Sequence, residues 1–280
     1  MSTTVASSRG QLSRLSFGGI LRSEWIKLRS LRSTAWCYAI VIAVTIGLGG
    51  LYSLNSQGQG ITADDIRALA VGSTTLGVNF AQLVVAVLGA LMITGEYGTG
   101  MIRSTLAAVP KRVPALVAKC LVFGVATFVV SAIALAGTAV ASWLVFSNGG
   151  IHADFFDGRV LLPLLGAAGY LALIGVLSLA LGAIIRSSAG GIAVALGLIL
   201  VAPLILRILA GVTRAVWPVN VSAFLPNSAG GLLWAYTSGP TAPAPSGYIV
   251  LTTLQGGLIL GAWVVVAFVI AAILLKRRDA

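Results

Sequence analysis

Six times along this chain an almost uncharged apolar run continues for about 20 residues or more, enough helix to cross a hydrocarbon layer. The runs cover residues 34–54, 69–94, 115–146, 160–185, 189–211 and 248–275. Apolar residues make up 58% of the chain and charged residues only 9%. No water-soluble domain hides that much apolar surface behind so few charges. The runs are continuous rather than alternating, which argues against a membrane β-barrel. The expectation is an all-α, polytopic integral membrane protein with six transmembrane helices in a single domain, 34–280. More than thirty residues precede the first run and no small-residue cleavage site follows it, so it reads as a span and not as a signal peptide.

Charge orients the spans. With the N-terminus inside, only Arg67, Arg159, Arg207 and Arg214 of the 18 cations fall outside. The positive-inside bias therefore predicts both termini in the cytoplasm, in a cell membrane. The net charge of +11 comes from dispersed juxtamembrane cations, which fits lipid headgroups as the partner and not nucleic acid. Cys37 and Cys120 lie near cytoplasmic ends of spans, on the reducing side, and are expected as free thiols. One histidine, His152, and no Cys/His/Asp cluster argue against a metal site.

Between the spans the composition shifts. Residues 1–16 are rich in Ser, Thr and Arg and are expected to be disordered. Over 17–33, Phe17, Ile20, Leu21, Trp25, Leu28 and Leu31 recur at helical steps, with Lys27 and Arg29 among the cations between them. This predicts an amphipathic helix in the inner interface, its apolar face toward lipid. The third run would reach about 48 Å as helix, so it must tilt or protrude. Polar and small residues share faces: Thr75, Asn79 and Gln82 on the second span, and Thr127, Ser131 and Thr138 on the third. Such stripes serve either helix packing or the lining of a substrate path. The segment 212–247 holds five of the nine prolines, and its uncharged centre, 221–236, reads either as short helices at the outer interface or as an ordered loop.

Nothing in the sequence reads as an enzyme. There is no GxxxxGK[ST], HExxH or GxSxG, and no carboxylate lies at mid-span for a proton relay. A transporter built this way takes its energy from a partner. The break at 95–114 is the place for it: glycines at 95, 98 and 100 and Pro110 bracket a possible short helix, 99–108, with Met101, Ile102 and Leu106 on one side and Arg103 on another.

Three stretches, EWIKLRSLRSTAW from Glu24, GEYGTGMIRSTLAAVPKRVPALVAK from Gly95 and FLPNSAG from Phe224, resemble the permease subunits of ABC-2 type transporters, particularly actinobacterial ones. The resemblance implies an ABC-2 (type V) exporter-like fold. Residues 17–33 would be its connecting helix, including Trp25, Lys27, Leu28 and Arg29. Glu96, Tyr97, Gly98, Thr99, Met101, Ile102, Arg103 and Leu106 would form the coupling region on a separate ATP-binding subunit, which holds the ATP and Mg²⁺; this chain itself would bind no cofactor. Phe224, Leu225, Pro226, Asn227 and Trp234 would belong to an extracellular gate. A second permease, identical or not, would complete the path, and the cargo would be a small amphipathic, drug-like molecule. Gly98 departs from the larger polar or basic residue common there. The alternative is a membrane anchor or an immunity sensor that docks an ATPase without transport.

Overall fold

A computed structural model of the 280-residue chain describes residues 16–56, 62–101, 112–237 and 246–277. The chain is all-helical among these residues, with six helices long and apolar enough to span a membrane. In order they are α1 (Phe17–Ser30), α2 (Arg32–Asn55), α3 (Ala63–Thr75), α4 (Val78–Gly98), α5 (Arg112–Asn148), α6 (Gly158–Ile185), α7 (Ser188–Thr213), α8 (Trp217–Ala223), α9 (Pro226–Gly231) and α10 (Thr253–Arg277). Residues 1–15, 57–61, 102–111, 238–245 and 278–280 fall outside the description. With them go the expected disordered tail and most of the short helix at 99–108.

The second span is α3 and α4 in series. Ser73, Thr74 and Thr75 all bond their hydroxyls back to carbonyls of Ala70 or Val71, a pattern that loosens and bends helices. Gly77 follows, and a Cβ there would meet the Thr45 backbone at 2.5 Å. The bend thus lets α4 start against α2. Of the three residues that spacing assigns to one face, Thr75 and Gln82 are buried and Asn79 is exposed.

At the centre α4 crosses α6, with Val85, Ala86, Tyr170, Leu171 and Ile174 in the core. Gly89 and Gly175 bring the two backbones together. α2 lies against α5 through hydroxyl pairs, Tyr38 with Thr127 at 2.9 Å and Ser53 with Ser142 at 2.8 Å. Thr127, Ser131 and Thr138 are all buried within this chain. Thr127 is bonded to Tyr38 and Thr138 to the Ala134 carbonyl of its own helix.

α1 corrects the expected division of faces. Ile20, Glu24 and Leu28, four residues apart, are its buried side and face the bundle, while Phe17, Trp25 and Leu31 are exposed. A purely lipid-facing apolar stripe would not include a carboxylate. Ser16 caps the helix by accepting from the Gly19 N–H at 3.2 Å.

Candidate functional site

Two polar constellations sit inside this apolar body. The first is at the end of the bundle where α1, the last turn of α4 and the start of α5 meet. Lys119 is two turns into α5, within an apolar stretch. Its ammonium donates to Glu24 Oε2 at 2.6 Å and to Glu96 Oε1 at 2.8 Å. Lys27 donates to the same two carboxylates, at 2.8 Å to Glu24 and 3.2 Å to Glu96. Glu24 and Glu96 are the only glutamates in the chain. Their side chains and that of Lys119 are 3%, 7% and 4% exposed, whereas Lys27 reaches solvent at 28%. Two positive and two negative charges cancel, which is what permits their burial. Burial works to raise the Glu24 pKa, but Lys119 and Lys27 outweigh it and hold it below its ordinary value. For Lys27, desolvation works downward and is outweighed by Glu24 and Glu96, so its pKa is raised.

The sign for stability follows. The Glu24 contribution is complete above the ordinary glutamate value of 4.5 and is lost as pH falls through the lowered one. That of Lys27 is complete below 10.5 and is lost as pH rises through the raised one. α1 should therefore stay docked across neutral pH.

Tyr97 ties the same turn of α4 to another element. The Arg186 guanidinium lies 5.2 Å from the Tyr97 ring centroid and also donates to the Leu274 carbonyl of α10 at 3.5 Å. Arg186 closes the α6–α7 turn in a left-handed conformation, φ 60°. The end of α4 is thus held by α1 and α5 through Glu96 and by the α6–α7 turn through Tyr97. The glycine pattern predicts a break from residue 95 that includes Glu96 and Tyr97; they are instead in the last helical turn, since α4 runs on to Gly98. Oε1 of Glu96 is engaged by Lys27 and Lys119 inside the chain. Gly98, Thr99 and Met101 are exposed beyond it, and Ile102, Arg103 and Leu106 lie outside the described residues. Of the connecting-helix residues, Lys27 and Leu28 face the bundle while Trp25 and Arg29 are exposed.

The second constellation is toward the opposite end. Gln82 of α4 is buried and accepts a short hydrogen bond from the Tyr170 hydroxyl of α6. That hydroxyl also lies 3.1 Å from Asn227 Oδ1. The Asn227 amide donates in turn to the Ile199 carbonyl at 3.1 Å. The sequence explains the last bond. Pro203 stands four residues after Ile199, so the N–H that would close the helical turn on that carbonyl does not exist. α7 widens here into a π-helical stretch, Gly197–Val201, and Asn227 supplies a donor. A buried carbonyl orphaned by proline is thereby satisfied from a separate helix, as membrane depth demands.

The 221–236 segment resolves into two short helices rather than a loop. Gly230 of α9 packs on the Tyr170 ring, Trp234 lies at 6.3 Å from it, Pro226 is buried and Leu225 half-buried. The Phe224 carbonyl accepts from Trp263 Nε1 of α10 at 2.9 Å, leaving the Phe224 ring exposed. The Asn79 side chain, by contrast, is exposed and donates to the Leu76 carbonyl, so of the two side-chain amides singled out on this span Gln82 joins the network among the described residues. Asn227 should therefore be a structural joint. Asn227→Ala is expected to lower stability by about 1–3 kcal/mol, read by thermal unfolding of the purified protein. Asn227→Asp, which lacks the donor at neutral pH, should behave no better. A silent Asn227→Ala would mean that the carbonyl is satisfied without it.

Pro203 within an apolar run and Asn227 in FLPNSAG were both visible in the sequence. Their pairing was not, because the intervening chain gives no distance. Glu24 was the clearer missed signal: a carboxylate midway between Ile20 and Leu28 on the apolar face needs a buried cation, and Lys119 inside the third run needs a buried anion.

Comparison with known proteins fits this architecture. A family model described as ABC-2 family transporter protein matches residues 20–204, from α1 through the π-helical stretch of α7. No curated protein matches the chain. The matched region includes Glu24, Lys27, Gln82, Glu96, Lys119 and Tyr170, and the chain belongs to the ABC-2 family of transporter membrane proteins.

Proposed function

We propose that this chain is the permease subunit of an ATP-driven exporter of a hydrophobic or amphipathic, drug-like compound in the cell membrane. The family implies an ATP-binding partner subunit, and that subunit would hold the ATP and Mg²⁺. It docks at the α1 end, which faces the cytoplasm in this reading. Arg22, Lys27, Arg29, Arg32, Arg186, Lys276 and Arg277 all gather there, as the positive-inside bias requires. A second permease, identical or homologous, completes the path.

The observation that carries the proposal is the fixation of the end of α4. The segment beyond Gly98 is the contact with the ATPase, and Glu96 is its anchor rather than its contact. Held by cations from α1 and α5, it makes a push on that segment move three helices together and not fray one. Coupling requires such a rigid connection between two arrangements of the bundle.

The test uses the chain co-expressed with an ATPase encoded beside it and reconstituted in vesicles. Glu96→Gln, which keeps shape and loses charge, should leave the complex intact and lower ATP-driven efflux about three- to thirtyfold, the range of coupling energies for such positions. Unchanged efflux would remove Glu96 from the coupling route. ATPase docking with no ATP-dependent movement of any amphipathic compound would remove the exporter reading itself.

A further inference from the structure

Between the far halves of α5 and α6, on the side of the bundle away from α1, lies an open apolar groove of about 550 Å³. Its size is in the range that takes a small molecule, about 300–1,000 Å³. Along α5 it runs past Ala132, Ala136 and Ala139 to Trp143, and leucines of α6 form the other wall. From Ala132 to Trp143 is about 16 Å of helix, which an extended dodecyl chain spans. The end of the groove is formed by the connection between α5 and α6, where Asp154 and Phe156 line it with Trp143. Trp143 and Phe156 are exposed, at 50% and 90%.

Asp154 differs from Asp64 and Asp157. Asp64 and Asp157 are engaged by Arg67, at 2.9 and 2.6 Å. No cation lies within ion-pair distance of Asp154 among the described residues. One of its oxygens, Oδ1, accepts from the Phe156 N–H at 2.9 Å, which holds the carboxylate in place on the loop. A carboxylate without a cation, flanked by an indole and a phenyl ring at the mouth of an alkyl-sized groove, has the chemistry that recognises an alkylammonium ion: charge from the carboxylate, cation–π attraction from the rings, apolar burial for the tail.

We propose that this groove binds a single-tailed amphiphile with a quaternary ammonium head, the head between Asp154, Trp143 and Phe156 and the tail along the α5 alanines. The site is separate from the Gln82–Tyr170–Asn227 network and does not depend on the assignment to export.

Dodecylpyridinium is a suitable probe, because its head quenches indole fluorescence on contact. The full chain is titrated in neutral maltoside micelles, and the Trp143 signal is taken as the difference between the native protein and Trp143→Phe. Saturable quenching of that signal is expected, reversed by dodecyltrimethylammonium and not by dodecanol. Asp154→Asn keeps an oxygen to cap the Phe156 N–H and should weaken binding about three- to fivefold, the scale of one partly exposed charge contact. Quenching that rises linearly with probe, displacement by dodecanol as readily as by the ammonium, or equal affinity in Asp154→Asn would each overturn the site. The competition arm needs only the native protein and Trp143→Phe, so the result stands even if Asp154→Asn is poorly folded.

Discussion

Lys119→Met should be the most damaging single change in the protein, costing about 3–5 kcal/mol. It leaves the Glu24 and Glu96 carboxylates buried together, with only the partly exposed Lys27 to balance them. Most of that loss is the penalty of an uncompensated buried charge, not the worth of the pair. The same reasoning makes a second, less intuitive forecast. Removing all three buried charges, as Glu24→Leu, Glu96→Leu and Lys119→Met together, should recover most of the stability, because well-packed apolar groups replace buried ion pairs at little cost or with a gain. Thermal unfolding in detergent distinguishes these cases. If Lys119→Met melts with the native protein, the buried network is not as tight as its 2.6 and 2.8 Å contacts indicate. If the triple variant is stable but loses the ATP-driven efflux proposed above, the charges are retained for coupling, since stability alone would not require them.

That contrast bears on how much of this molecule can be read from its sequence. The six spans follow from run length and composition, which are local properties: a backbone in hydrocarbon must close its own hydrogen bonds, so a long apolar run has one solution. The amphipathic helix before the first span was legible for the same reason, and Ile20, Trp25 and Leu28 at helical steps were enough to find it. Which side of it faces protein was not, because Trp25 and Leu28 are equally apolar and only the position of Lys119, 95 residues away, decides that Glu24 turns inward. The candidate site shows the same division. Gln82 stood out as an amide within an apolar span needing a partner. That the partner is Tyr170, and that Asn227 meets the carbonyl freed by Pro203, depends on how α4, α6, α7 and α9 are arranged, and no spacing within one helix encodes that. Asn79 shows the converse error: three residues from Gln82, it was placed on the same face, yet it sits in the first turn after the Gly77 bend and points out of the bundle.

A glycine pair on α4 offers a test of packing in which the same substitution should give opposite signs. Gly89 lies at the α4–α6 crossing, and a Cβ there would run into the Gly175 carbonyl and the Leu179 backbone. Neither obstacle is a flexible side chain, so the helices must separate, and overpacking of this kind costs about 1–3 kcal/mol or more. Gly95, six residues on, is exposed and has nothing within 4 Å of the same position. There an alanine gains helix propensity, by up to about 1 kcal/mol. Gly89→Ala should therefore unfold at lower temperature than the native protein and Gly95→Ala at equal or higher temperature. Because Gln82 and Tyr170 sit on the same two helices, the separation forced at Gly89 should also loosen their hydrogen bond and, through Tyr170, the seating of α9. Tyr170→Phe removes that hydroxyl, so its cost should shrink in a Gly89→Ala background, and the double mutant should lose less stability than the sum of the two single changes. Strict additivity of the two changes would mean that the α4–α6 crossing and the Gln82–Tyr170–Asn227 network are mechanically independent.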